Sequence, residues 1–351
     1  MARKIRIIVV DDSAFMRRAI TMMLEDEPDF EIVATASNGE DALKSIFELK
    51  PDIVTLDIEM PGMSGLEVLE RLMSESPTPV IMISSLSTEG AKETIKALEL
   101  GAVDFIPKSL SYVSLDIIKI KDLLVEKIRN IGSRKKSILK SIAYRKKLLP
   151  VLEMNSKSMG RKIRFVTIGI STGGPRTLQE VIPRLPKNFP RPVMVVQHMP
   201  PKFTRSLAER LDNMSEIKVK EAEHGEDVYP GCVYIAPGGL HMLLKKNHAN
   251  INVTLTDKPS DTLHKPSVDV MLNSVVDIYG SQTLSVIMTG MGKDGLIGSQ
   301  EVHRKNGKVL AENEDSCIVY GMPKAVVDAG IADRVIRADG IAEAIIDYVS
   351  Q

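Results

Sequence analysis

The first 110 residues repeat one pattern, in which a short apolar run ends at a polar residue and an amphipathic helical stretch follows. The apolar runs are Ile5–Val10, Glu31–Ala36, Ile53–Asp57, Val80–Ser84 and Val103–Ile106. Helical spacing follows over residues 13–25, 40–49, 65–73, 88–100 and 115–131. Such alternation predicts a parallel sheet with helices on both faces, and parallel sheets gather ligands at the carboxyl ends of their strands. The notable polar residues fall at those ends. Asp11 and Asp12 follow the first run, Asp57 ends the third, Ser84 ends the fourth and Lys108 follows the fifth.

Three carboxylates meeting at one sheet edge repel one another unless a cation lies among them. Hard oxygen donors with open positions suit Mg²⁺, which keeps several waters and bridges readily to a phosphoryl group. Lys108 adds a compact positive charge, and the Ser84 hydroxyl can donate to a phosphoryl oxygen. The plainer alternative makes Asp11 and Asp12 a helix cap and Asp57 a turn residue. The runs V-V-D-D-S, D-I-V-T-L-D-I-E-M-P-G-M-S-G-L-E, V-I-M-I-S-S and D-F-I-P-K resemble the signature of two-component receiver domains over the first 125 or so residues. That resemblance implies a flavodoxin-like (βα)5 fold with Asp57 accepting phosphate from a histidine kinase. It implies Mg²⁺ held by Asp11, Asp12, Asp57 and the Glu59 backbone carbonyl. It also implies a switch pair at Ser84 and Phe105, and Lys108 as the family lysine.

The chain has 351 residues and zero net charge, which conceals an asymmetry. Residues 1–131 carry −8, residues 132–163 carry +9 and residues 164–351 carry −1. We expect a receiver over 1–131, a basic helical linker over 132–162 and a second domain over 163–351. The linker cations, Arg134, Lys135, Lys136, Lys140, Arg145, Lys146 and Lys147, suit either a solvated surface or an electrostatic strap that salt would weaken. No helix-turn-helix or aromatic–basic interleaving points to nucleic acid. Cys232 and Cys317 are isolated, which fits a reducing, cytoplasmic setting. No apolar run approaches membrane-spanning length.

After residue 163 the alternation resumes. Strands are expected at Phe165–Ile170, Val193–Gln197, Cys232–Ala236, Met242–Lys245, Ile251–Thr256 and Leu284–Thr289. Helices are expected over 176–182, 204–213, 267–278, 295–305 and 341–349. This predicts a doubly wound, mostly parallel α/β domain with an antiparallel hairpin whose turn is Ala236-Pro237-Gly238-Gly239. Its first strand runs into Gly169-Ile170-Ser171-Thr172-Gly173, a G-x-S-x-G turn that lifts a serine hydroxyl to the strand end. A nucleophilic serine needs a base, and the base needs an orienting group. His198 follows the apolar V-M-V-V-Q and emerges at the same edge. Asp294, in T-G-M-G-K-D-G, follows the last strand, where it could equally cap the helix after it. His224, His241 and His264 sit near turns as local structural donors, and His248 and His303 lie in polar settings. The order Ser…His…Asp differs from that of the α/β-hydrolases.

The stretches G-I-S-T-G-G-P, V-V-Q-H-M-P-P-K-F-T-R-S-L-A-E-R-L, P-G-x-V-Y-I-A-P-G-G-L-H-M, H-K-P-S-V-D-V and M-T-G-M-G-K-D-G resemble the chemotaxis receptor protein-glutamate methylesterase family, CheB. The resemblance implies Ser171 as nucleophile, His198 as general base and acid, and Asp294 as orienter. It adds the Met291 N–H at the oxyanion site and Thr172 as an active-site neighbour. It further implies demethylation of glutamate methyl esters on methyl-accepting chemoreceptors, with glutamine deamidation as a second activity. A chemotaxis histidine kinase would be the phosphodonor, and the receiver would dock on its own catalytic domain. Ester hydrolysis would need no cofactor, and neither nucleic acid nor membrane insertion is expected. Two other readings are a regulator whose output is binding and a nucleotide-binding module, though the glycine loop lacks G-x-G-x-x-G spacing and a P-loop lysine. Acetyl phosphate with Mg²⁺ is expected to phosphorylate the chain, and Asp57→Asn to lose that incorporation.

Overall fold

The computed structural model describes residues 3–108, 116–135, 138–139, 163–247 and 250–351. The chain divides into two compact units, residues 1–146 and 147–351. Most of the expected linker lies outside the described residues. Lys135 is described, and its Nζ donates to Pro51 O at 2.5 Å within the first unit. No helix among the described residues is long and apolar enough to cross a membrane.

The first unit has strands β1 (Ile5–Val10), β2 (Phe30–Ala36), β3 (Ile53–Asp57), β4 (Val80–Ser84) and β5 (Asp104–Pro107). Helices α1 (Ala14–Glu25), α2 (Gly39–Leu49), α3 (Gly65–Glu75), α4 (Thr88–Leu100) and α5 (Asp116–Gly132) alternate with them. The sheet is parallel, in the order β2-β1-β3-β4-β5. Its middle strands are apolar without alternation because helices cover both faces, as parallel sheets require. The cap alternative for the first aspartates fails. Ser13 caps α1, its Oγ accepting from Met16 N at 3.3 Å, while Asp11 Oδ1 accepts from Ser13 N at 2.9 Å.

In the second unit, strands β6 (Phe165–Ile170), β7 (Val193–Gln197), β8 (Lys218–Glu221), β9 (Cys232–Ile235), β12 (Thr283–Ile287), β13 (Lys308–Glu312) and β14 (Arg334–Ile336) form one sheet. Its order is β14-β13-β12-β6-β7-β9-β8, and every pairing is parallel. The order reverses beside β6, the place where doubly wound sheets open a crevice. Helices α6 (Gly174–Val181), α7 (Phe203–Met214), α8 (Val268–Tyr279), α9 (Leu296–Arg304), α10 (Met322–Asp328) and α11 (Ala338–Ser350) accompany it.

The hairpin exists but elsewhere than expected. It joins β10 (His241–Asn247) to β11 (Asn250–Thr256) as a separate antiparallel pair, packed on the core through Met242, Leu244 and Val253. Pro237-Gly238-Gly239 instead carries the chain out of the main sheet, because β9 already has parallel partners on both sides.

At the end of β6, Gly173 takes φ +78° to start α6, and a Cβ there would meet Ile318 Cγ1 at 2.5 Å. Both the left-handed backbone and the crowding demand glycine. Gly173→Ala is expected to lower the stability of this unit by about 1–3 kcal/mol, read as an earlier thermal transition of the full-length chain.

Candidate functional site

At the carboxyl edge of the first sheet, Asp11, Asp12 and Asp57 each offer a carboxylate oxygen within 4.8 Å of the others. Asp11 and Asp57 are buried, while Asp12 is exposed. Lys108 Nζ donates to Asp57 Oδ2 at 2.6 Å and lies 3.4 Å from Asp11 Oδ2, a buried oxygen with no hydrogen-bond partner. Orphaned, hard oxygens of this kind fit a small divalent cation. Burial lifts Asp57 to about 6, with the Asp11 charge adding to the rise and Lys108 opposing it. Asp11 is raised too, again chiefly by burial. Burial alone would lower Lys108, but Asp57 and Asp11 opposite it outweigh that and raise it.

The remaining residues of that edge are placed differently. Ser84 Oγ turns toward the first turn of α4, donating to Gly90 O at 3.2 Å and accepting from Thr94 Oγ1 at 2.6 Å. The Phe105 ring is buried, on the strand neighbouring Ser84. Glu59 N donates to Asp57 Oδ1 at 3.2 Å, and its carboxylate, outside the acidic cluster, accepts from Ser85 Oγ at 2.8 Å.

In the second unit, three adjacent strands, β12, β6 and β7, deliver Asp294, Ser171 and His198 to one edge. Their backbones are stitched together. Ser171 N donates to Thr289 O at 2.9 Å, and His198 N donates to Ile170 O at 3.2 Å. The buried Gln197 amide donates to Ser171 O at 3.0 Å. A Cβ on Gly290 would meet Ser171 Cβ at 2.8 Å, so the loop carrying Met291 can approach the serine only through glycine. Thr172 is buried, and its carbonyl accepts from Thr289 Oγ1 at 2.9 Å, which ties the serine turn to that same loop.

His198 Nε2 lies 2.8 Å from Asp294 Oδ2, both side chains being about nine-tenths buried. The other ring nitrogen, Nδ1, is buried with no hydrogen-bond partner. The imidazole is therefore turned opposite to that of the chymotrypsin triad, where Nδ1 faces the aspartate. Ser171 and Nδ1 are not bonded at rest, and such contacts commonly tighten only around substrate. Asp294 does not cap the helix that follows it. It accepts from Val268 N at 2.7 Å, Asp269 N at 3.0 Å and Ser267 Oγ at 2.9 Å, all at the start of α8. Burial alone would raise its pKa, but His198 and these N–H groups outweigh that and hold the carboxyl well below the usual range. Burial lifts the neighbouring Asp269 to about 6.

Three residues here were not assigned to the site from the sequence, which reads His241 and His264 as local structural donors. His264 stacks on His198, with ring centroids 4.1 Å apart and planes 21° from parallel. Ser267 bonds Asp294 as above, and His241 is fully buried behind it. His264 and Ser267 share the stretch H-K-P-S-V-D, whose density of polar residues before a helix was the available signal. His224 and His303 are exposed, and His248 lies outside the described residues.

These features define a class, a response regulator in which a receiver with an acidic pocket and lysine precedes an α/β unit carrying Ser, His and Asp at one sheet edge. Residues 7–117 match the response regulator receiver domain family, and residues 166–345 match CheB methylesterase. The chain belongs to the CheB methylesterase family. The protein-glutamate methylesterase/protein-glutamine glutaminase 1 of Oleidesulfovibrio alaskensis is 46% identical, covering 98% of this chain and 99% of its own length. The protein-glutamate methylesterase/protein-glutamine glutaminase of Thermotoga maritima is 47% identical, covering 99% of each. The solved CheB methylesterase catalytic domain of T. maritima is 51% identical over 52% of this chain and 97% of its own, with a TM-score of 0.52.

The Asp57 pKa has a consequence for stability. An unfolded aspartate titrates near 3.8, so the folded chain holds this proton more tightly. The contribution is greatest below pH 4 and is lost as pH rises through about 6. Calorimetry of the full-length chain between pH 4 and 7 is expected to show that decline, and Asp57→Asn to reduce it, with the buried Asp269 supplying a further part.

Proposed function

We propose that the chain is a phosphorylation-activated hydrolase that demethylates glutamate γ-methyl esters on chemoreceptors and deamidates receptor glutamines, serving chemotactic adaptation. The observation that carries this reading is the buried His198–Asp294 pair beside Ser171, with Asp294 oriented by four donors. In this reading Ser171 Oγ attacks the ester carbonyl carbon while His198 Nδ1 takes its proton. Asp294 stabilises the resulting imidazolium through Nε2. The oxyanion faces the Met291 N–H, and one such donor is worth on the order of 10²–10³ in rate. The His198 proton then passes to the methoxy oxygen as its bond to the acyl carbon breaks, releasing methanol, or to the amide nitrogen of glutamine, releasing ammonia. Water, deprotonated by the same nitrogen, attacks the acyl-serine and releases glutamate and Ser171.

Control belongs to the first unit. Asp57 would take a phosphoryl group from a histidine kinase, with Asp11, Asp12, Asp57 and the Glu59 carbonyl holding Mg²⁺. The cation would neutralise charge on the transferring phosphoryl group. Lys108 would exchange its Asp57 contact for a phosphoryl oxygen, and Ser84 would leave Gly90 O to donate to another. That movement, with Phe105 on the adjoining strand, would release the receiver from the Ser171 cleft. Thr172 stays a buried support of the serine turn. In this reading the enzyme works in the cytoplasm, which the two free cysteines suit.

Ser171→Ala is expected to abolish methyl ester hydrolysis and serine labelling by an organophosphonate while leaving Asp57 phosphorylation intact. Full esterase activity in that variant would reassign the nucleophile. Removal of residues 1–131 is expected to give constitutive activity. A truncated enzyme no faster than the unphosphorylated full-length chain would overturn occlusion.

A further inference from the structure

We propose that His241 is a positioning residue for the hydrolytic site, acting through Ser267 to hold Asp294, and thus His198, in the working orientation. The inference rests on the hydrolase reading above. His241 opens β10, at the start of the hairpin rather than on the strands that carry Ser171, His198 and Asp294. Its side chain is wholly buried, and both ring nitrogens find partners within the protein. Nε2 lies 3.1 Å from Pro259 O and 3.2 Å from Thr262 Oγ1. A carbonyl can only accept, so Nε2 carries the hydrogen. Nδ1 is then a lone pair, and it accepts from Ser267 N at 3.2 Å. The tautomer follows from the partners.

Ser267 is the residue on which this bond acts. It is the N-cap of α8, its Oγ accepting from Val270 N while donating to Asp294 Oδ1 at 2.9 Å. The next two residues direct their N–H groups at the same carboxylate. Three of the four donors on Asp294 therefore belong to consecutive residues, 267 to 269, and move as one piece. His241 anchors that piece from outside the helix. A second tie runs in parallel, from Gly239 N to Lys265 O at 3.1 Å. Ser267 is itself 4% exposed, so loss of its acceptor would strand a buried N–H.

The anchor works only while the imidazole is neutral. Burial is the main force keeping its pKa low, the nearby Lys265 adds to that, and the Pro259 carbonyl and Asp294 pull the other way. A proton added at Nδ1 would confront the Ser267 N–H and break the link.

The test compares His241→Leu, His241→Asn and Ser171→Ala in the full-length chain. The readouts are kcat and KM on a peptide bearing a glutamate γ-methyl ester, thermal unfolding, and the downfield proton resonance of His198 Nε2–H. His241→Leu is expected to lower kcat by about 10- to 100-fold, with KM little changed, and to lose or shift that resonance. His241→Asn, whose amide oxygen can replace the Nδ1 acceptor, is expected to restore most of both. A folded His241→Leu protein with wild-type kcat and resonance overturns the proposal. So does a folded Asn variant as impaired as the Leu variant, because packing alone would then explain the loss. Should the Leu variant fail to fold, His241→Gln serves instead, because its amide reaches the Nε2 position and leaves Ser267 N without its acceptor, and an unchanged kcat and His198 resonance there likewise overturn it. Failure of the hydrolase reading looks different, since Ser171→Ala would keep its activity, and the resonance would still report on the link without turnover.

Discussion

Parallel strand pairing is the constraint on which both units depend. Strands that run the same way all leave the sheet at one edge, so residues distant in sequence meet there without long excursions. In the first unit that edge collects Asp11, Asp12, Asp57 and Lys108. In the second it collects Ser171, His198 and Asp294 from three neighbouring strands. The same architecture thus builds a charged pocket in one unit and gathers a serine, a histidine and an aspartate in the other. What differs is the covering. The acidic edge keeps one carboxylate in solvent, whereas the His198–Asp294 pair is closed over by His264 and the start of α8.

Asp294 shows how chemistry and stability share one set of bonds. A helix start leaves its first N–H groups without partners, and a carboxylate nearby satisfies them. For α8 that carboxylate comes from another strand's loop. The same bonds that complete the helix favour the ionised form of Asp294 despite burial, opposite the His198 ring. The charge is held by three N–H or O–H donors before the imidazole is counted.

Much of this was legible from residue patterns, for a physical reason. Strands covered on both faces are uninterrupted apolar runs, and β1, β3, β4, β6 and β7 fall where those runs fall. Short or charged strands carry no such mark. β8 is Lys-Val-Lys-Glu, β14 has three residues at the sheet edge, and β13 is buried but opens and closes on charged residues. The hairpin turn was misplaced because Pro-Gly-Gly marks a turn without saying which strands it joins. At the site, polar residues that end apolar strands stood out. His241, His264 and Ser267 did not, since their approach depends on how the hairpin and the segment after it fold back over the sheet. Local spacing has no information about that return.

The reversed imidazole of His198 bears on how the site is held in register. Nδ1 is bonded to the ring carbon next to Cβ, whereas Nε2 lies at the far end of the ring. Rotation about the Cα–Cβ bond carries the far nitrogen through a wider arc than the near one. With Nε2 tethered to Asp294, the unbonded nitrogen is the one nearer the main chain, and the tether fixes the ring rotation that places it. That main chain is pinned directly to the residue before the serine, through His198 N and Ile170 O. The relative placement of Ser171 and His198 thus draws on the backbone ladder between β6 and β7 as well as on the Asp294 tether.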